Sequence, residues 1–239
     1  MKRWLGQARA AVKRATFPRV PPSLYLRLYA RDTDRRVERD PDRASGHPES
    51  IMAPRVVAYA TKAGLEPSHR LLDFGCGTLR AGKYFIDLLA RGRYVGVDIS
   101  WGAIQHARAV VSTTPQLRAK EPVLRTVKPF EDLRLPWSPD FILCHSVFSH
   151  LPRGPAARTF RQLRRVMAPH TTLALTAFVG DRYEQPNYKD VRYPQAELLG
   201  IAQEAGIRLR RLDARTGLRQ TVFVGHRVHK TGGSAALGP

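Results

Sequence analysis

The chain has 239 residues, 43% of them hydrophobic and 25% charged, which suits one sizeable core but not two full domains. No stretch approaches the roughly 18 apolar residues of a membrane-spanning helix. Cys76 and Cys144 alone cannot build a disulfide framework or a four-ligand zinc site, so a cytoplasmic protein without a metal centre is expected. The 40 Lys+Arg against 20 Asp+Glu give a net charge of +20, which either draws phosphates on nucleic acid or lipid headgroups or simply coats a solvated surface.

Residues 1–31 contain no acid. Trp4, Leu5, Ala8, Ala11, Val12 and Ala15 fall on one helical face, with Lys2, Arg9 and Lys13 opposite. Such a basic amphipathic helix over 1–16 either lies on an anionic membrane, giving peripheral contact, or packs on the domain or on a second subunit. Pro18, Pro21 and Pro22 end it, and Arg31–Glu49 reads as an irregular charged connector. Residues 1–49 are therefore an extension, 50–228 a folded domain and 229–239 a flexible glycine-containing tail.

Within the domain a helix over Ser50–Ala63 precedes an alternation of strands and helices. The strands are Leu71–Phe74, Tyr94–Val97, Val123–Val127, Phe141–Cys144 and Thr172–Phe178; the helices are Ala81–Leu89, Ala103–Val111, Ala156–Met167 and Ala196–Ala205. Two strands in succession, Ile207–Leu212 and Gln220–Val224, close the pattern as an antiparallel hairpin. The class is α/β, a parallel sheet covered by helices on both faces.

The most informative stretch is Leu71-Leu72-Asp73-Phe74-Gly75-Cys76-Gly77-Thr78-Leu79-Arg80-Ala81-Gly82. An apolar strand ends in a Gly-x-Gly turn and a helix follows, at the strand end where open α/β sheets bind ligands. Arg80 stands where a dinucleotide fingerprint needs its third glycine, and no Gly-Lys-Ser/Thr follows to make a P-loop. One helix and one strand later, Asp98 ends Tyr94-Val95-Gly96-Val97-Asp98. A carboxylate there either accepts hydrogen bonds from both ribose hydroxyls or caps the helix after it; the preceding glycine turn favours the ribose.

Together these residues resemble the class I S-adenosylmethionine-dependent methyltransferases, from about Ser50 to Arg227. Asp73, Gly75 and Gly77 match the family's first-strand motif and Asp98 its ribose acid. Phe141–Cys144 with His145-Ser146-Val147-Phe148-Ser149-His150-Leu151-Pro152 matches the fourth strand and its turn. The family has glycines where His170 and Thr171 stand. The resemblance implies a seven-stranded, mostly parallel Rossmann-like sheet with a final antiparallel strand. It implies S-adenosyl-L-methionine as cofactor, held by Asp73, Gly75, Cys76, Gly77, Arg80, Asp98, Ile99, Glu131 and His145. His145 and His150, beyond the fourth strand, are candidate bases, and Tyr183 and Tyr188 stand in the Gly180–Tyr193 loop where such enzymes build a substrate lid, Tyr188 being a third catalytic candidate. With no inserted domain, a small-molecule or lipid- or sugar-linked acceptor comes first. RNA methylation, or a non-catalytic protein whose basic surface binds RNA or anionic membrane, comes second.

Overall fold

The computed structural model describes residues 20–41, 49–212 and 219–228. The amphipathic segment 1–16 and the tail 229–239 lie outside the described residues. Seven helices, α1 (Pro22–Arg39), α2 (Glu49–Lys62), α3 (Gly82–Leu88), α4 (Trp101–Thr113), α5 (Pro115–Ala119), α6 (Arg153–Val166) and α7 (Gln195–Glu204), are described. They surround strands β1 (Leu71–Phe74), β2 (Tyr94–Asp98), β3 (Val123–Thr126), β4 (Phe141–Cys144), β5 (Thr172–Val179), β6 (Arg192–Tyr193), β7 (Ile207–Arg211) and β8 (Thr221–Arg227).

The continuous strand order is β3-β2-β1-β4-β5-β8-β7, with the two-residue β6 added on β5. β1 pairs in parallel with both β2 and β4, while β8 runs antiparallel to β5 and β7. The seven expected strands are all present, and β6 is an eighth that lay unseen inside the polar loop. No helix among the described residues is long and apolar enough to cross a membrane.

Every residue of β1 and β4 is buried, as befits strands covered on both faces. Alternation then sorts the side chains onto two cores. Leu71, Tyr94, Phe141 and Leu143 pack with Val56, Tyr59, Phe85 and Ile104 on one face. Leu72, Val95, Ile142 and Cys144 pack with Phe148, Phe160, Leu163 and Leu198 on the other. In α6 the buried Ala156, Thr159, Phe160 and Leu163 recur at helical spacing. Phe148 and Phe160 stack at 4.2 Å between centroids, both fully buried. Phe148→Ala should therefore cost about 3–5 kcal/mol and lower the melting temperature by roughly 10 °C, readable by thermal denaturation; a shift of a degree or two would mean that the neighbours collapse into the space.

The irregular connector is corrected over Arg31–Arg39, which belongs to α1. Pro22 occupies the first turn, where a missing N–H costs nothing and the fixed φ favours a helix, so this proline starts an element. Tyr25, Leu26 and Val37 are buried, and the charges at Arg31, Arg35 and Glu38 are the outer face of the same helix. The His170–Thr171 turn lies at the amino end of β5, remote from the carboxyl ends of the strands. There Thr171 Oγ1 donates to the Pro139 carbonyl at 2.7 Å and accepts from Ala168 N at 2.8 Å, so a threonine closes the turn in place of glycine.

Candidate active site

Strand order reverses between β1 and β4, and the loops after these two strands part to leave a cleft at their carboxyl ends. Gly75 and Gly77 have φ of +83° and +56°, which L side chains rarely adopt. A Cβ on Gly75 would also stand 2.5 Å from Val147 Cγ2 in the turn after β4. Gly75 N and Cys76 N donate to the Val97 carbonyl at 2.8 and 3.1 Å, tying the turn to the end of β2.

Asp98 completes this corner. Its Oδ2 accepts Gly77 N at 3.0 Å and its Oδ1 accepts Ser100 N at 2.8 Å. The helix cap belongs to Ser100, whose Oγ accepts Ala103 N at 3.1 Å. Asp98 is thus held by backbone donors in the lining of the cleft, and its carboxylate keeps further lone pairs of the kind a ribose diol bonds. Burial pushes its pKa up, aided by Asp34 and opposed by the backbone N–H groups. Asp73 is buried behind the turn, takes the Tyr94 hydroxyl at 2.7 Å, and is pushed up to about 7, chiefly by burial.

One cavity of about 1150 Å³ joins these features to the turn after β4, the 186–190 loop and α1. Asp73, Gly75, Cys76, Gly77, Arg80, Asp98, Ile99, His145, His150 and Tyr188 all line it. Glu131 is the exception. The lining stops at Phe130, and the Glu131 carbonyl is taken up by Gln162 Nε2 at 2.7 Å. Phe130 has a positive φ of 63°, and that left-handed step turns the chain away one residue early.

The two histidines differ in hydrogen bonding. Tyr59 Oη lies 3.2 Å from His145 Nδ1; with the phenol as donor, Nδ1 accepts and Nε2 carries the proton. Burial, with help from the Arg80 charge, pushes the His145 pKa down to about 4. His150 Nδ1 lies 2.8 Å from the Lys189 carbonyl, which can only accept, so Nδ1 carries the proton and Nε2 keeps its lone pair. Burial also lowers the His150 pKa, against the opposing pull of Lys189 O and Asp190.

Tyr188 is placed differently from its expected catalytic role. Its hydroxyl donates to Asp32 Oδ2 of α1 at 2.8 Å, and burial and this bond hold the phenol above its ordinary pKa. It straps the loop to α1, together with Tyr25 Oη, which bonds the carbonyls of His150 and Tyr188 at 2.9 and 2.8 Å. Tyr183 lies under the Arg153 guanidinium, 3.7 Å from the ring centroid, and takes no part in the lining.

Sequence reasoning missed two groups. Tyr29, Thr33 and Arg36 of α1 line the cavity; the signal was the Tyr25-Tyr29-Thr33-Val37 spacing inside the charged stretch. Gln220 also lines it and donates to Ser146 Oγ at 2.9 Å, while Thr176 Oγ1 accepts Ser146 N at 2.8 Å. These bonds brace the left-handed Ser146 (φ 57°). A lone glutamine ahead of the last strand carries no sequence signal of its own.

The strand-order switch, the glycine turn and the backbone-held acid define a Rossmann-like domain with a cleft of the kind that holds nucleoside ligands. Residues 72–173 match the model of a methyltransferase domain. The chain resembles magnesium protoporphyrin IX methyltransferase from Synechocystis PCC 6803 with bound SAM, at 19% identity and TM-score 0.62 over 87% of this chain and 98% of that one. It also resembles the CcbJ methyltransferase from Streptomyces caelestis, at 18% identity and TM-score 0.61 over 88% and 100% of the two chains. The sugar N-methyltransferase KedS8 from Streptoalloteichus sp ATCC 53650 aligns at 16% identity and TM-score 0.57 over 78% and 91%. No curated protein matches the chain in sequence.

Residues 72–173 thus carry a methyltransferase domain, on a fold shared with S-adenosylmethionine-dependent methyltransferases, and S-adenosylmethionine is its cofactor. The residues present fit that group. Asp98 offers acceptors for the ribose, and Thr78 Oγ1, within the glycine turn, is buried and lines the cavity without a hydrogen-bond partner. The cofactor supplies an electrophilic methyl group on a sulfonium; the protein supplies alignment and proton handling.

Proposed function

We propose that the protein methylates a hydroxyl of a small-molecule acceptor, free or linked to a sugar or lipid, with His150 as general base. The observation that carries this reading is the fixed tautomer of His150, whose Nε2 lone pair belongs to a residue of the cavity wall. A hydroxyl is a poor nucleophile until its proton has somewhere to go, and neutral imidazole is suited to take it. His145, where the Tyr59 phenol donates to its Nδ1, contributes an N–H donor instead.

Size and shape support a small acceptor. A cavity of about 1150 Å³ exceeds the roughly 300–1,000 Å³ of single-ligand pockets. It is walled by α1 and the 186–190 loop. The relatives named above act on magnesium protoporphyrin IX and on a sugar, both small molecules.

The test is methyl transfer from isotope-labelled S-adenosylmethionine to pooled hydroxylated metabolites, glycosides and lipid-linked sugars, with RNA as a parallel arm. Label is expected in a small-molecule or lipid fraction. Label in RNA alone would overturn the assignment.

A further inference from the structure

Charge in the cavity limits what the acceptor can be. Seven Lys and Arg side chains line it against three carboxylates, Asp73, Asp98 and Asp190, while Asp32 and Glu184, outside the lining, pair with Arg36, Lys189 and Arg192. All three carboxylates are engaged. Asp73 takes the Tyr94 hydroxyl, Asp98 takes two backbone N–H groups, and Asp190 Oδ2 takes Asn187 Nδ2 at 2.6 Å. S-adenosylmethionine brings no relief, because its ammonium and carboxylate cancel and the sulfonium leaves it a net cation. A cationic wall around a cationic cofactor is repulsive in a site of low dielectric.

Two of the basic groups flank His150. Arg36 comes from α1 and Lys189 from the loop that holds the imidazole. They share one carboxylate outside the lining, Asp32, which pairs with Lys189 Nζ and stands 3.6 Å from Arg36 Nε. Arg36 Nε is buried without a hydrogen-bond partner, although its Nη2 reaches Thr33 Oγ1 at 3.2 Å. Lys189 Nζ lies 5.7 Å from the Tyr29 ring centroid. The positive charge of both residues disfavours the protonated form of His150, after the larger effect of burial.

We propose that the acceptor carries an anionic group, phosphate or carboxylate, and that Arg36 and Lys189 bind it beside His150. This deepens the reading of a small molecule methylated in this cavity and rests on it. The anion offsets the excess positive charge, gives Arg36 Nε the hydrogen-bond acceptor that Asp32 is too distant to be, and anchors the acceptor at the wall that bears the base. It also gives the binding order a sign: an anion binds more tightly once the cationic cofactor is in place.

Calorimetry on the full chain tests this, with inorganic pyrophosphate and succinate as probes for phosphate and carboxylate. Each is titrated into protein loaded with S-adenosylmethionine and into protein loaded with S-adenosylhomocysteine, the product, which lacks the sulfonium and is net neutral. One-to-one binding of at least one probe is expected, several-fold tighter with S-adenosylmethionine, and the tighter probe identifies the anion class. Arg36→Gln and Lys189→Gln should each weaken it about tenfold, the worth of one charge-assisted hydrogen bond, with S-adenosylmethionine affinity within about threefold of the parent. Two results overturn the proposal: no probe binding to protein that does bind S-adenosylmethionine, or probe binding indifferent to both substitutions, which would place the anion elsewhere on the basic surface. Failure to bind S-adenosylmethionine itself would instead sink the methyltransferase reading.

Discussion

Asp98→Ala is expected to weaken S-adenosylmethionine and S-adenosylhomocysteine binding at least 100-fold, while the protein stays folded. A hydrogen bond to a charged group is worth about 1.5–3 kcal/mol, and a ribose presents two hydroxyls to this one carboxylate. Together they account for about two to four decades of affinity. The substitution does a second injury, because Asp98 Oδ2 holds Gly77 N at 3.0 Å and so fixes the turn. Asp98→Asn, which keeps one acceptor oxygen, should fall between alanine and the parent. Isothermal calorimetry measures the affinities, and the thermal transition shows whether the fold survives. Parent-like affinity in a folded Asp98→Ala protein would remove Asp98 from the cofactor site.

The parts legible in the sequence were those where backbone geometry leaves a residue-type signature. A turn that requires φ of +83° and +56° selects glycine at positions 75 and 77, and a strand buried on both faces reads as the apolar run around Asp73. Asp98 was legible for a related reason, since a strand-end acid at that interval has few other duties. The N-cap alternative was settled by Ser100, two residues on.

What was not legible depends on tertiary contact. α1 was hidden because its outer face is densely charged and it begins at a proline. Its role is set by partners far along the chain: Asp34 Oδ1 accepts Ser100 Oγ at 2.6 Å and Gly102 N at 3.0 Å, while Asp32 meets Tyr188 and Lys189. One helix thereby touches both the Asp98 corner and the 186–190 loop. Tyr188 misled for the converse reason. A tyrosine in a lid loop looks catalytic by position, but its hydroxyl direction is decided by Asp32, 156 residues earlier.

Tautomers were equally out of reach of sequence, and they separate the two histidines by function. With the acceptor found by label transfer, His150→Gln should reduce kcat by about 10²–10⁴, the range typical of a general base, with S-adenosylmethionine affinity unchanged. His145→Gln should cost far less, because with the Tyr59 phenol donating to Nδ1 that ring gives no lone pair to the cavity. A base works only when deprotonated, so kcat/KM of the parent should fall as pH drops through the His150 pKa and run flat above it. Burial, with Arg36 and Lys189, moves that midpoint below the usual histidine value of about 6.5. The acid limb should vanish in His150→Gln. Should it persist there at the same midpoint, some other group takes the proton, and the tautomer held by Lys189 would be a matter of packing alone.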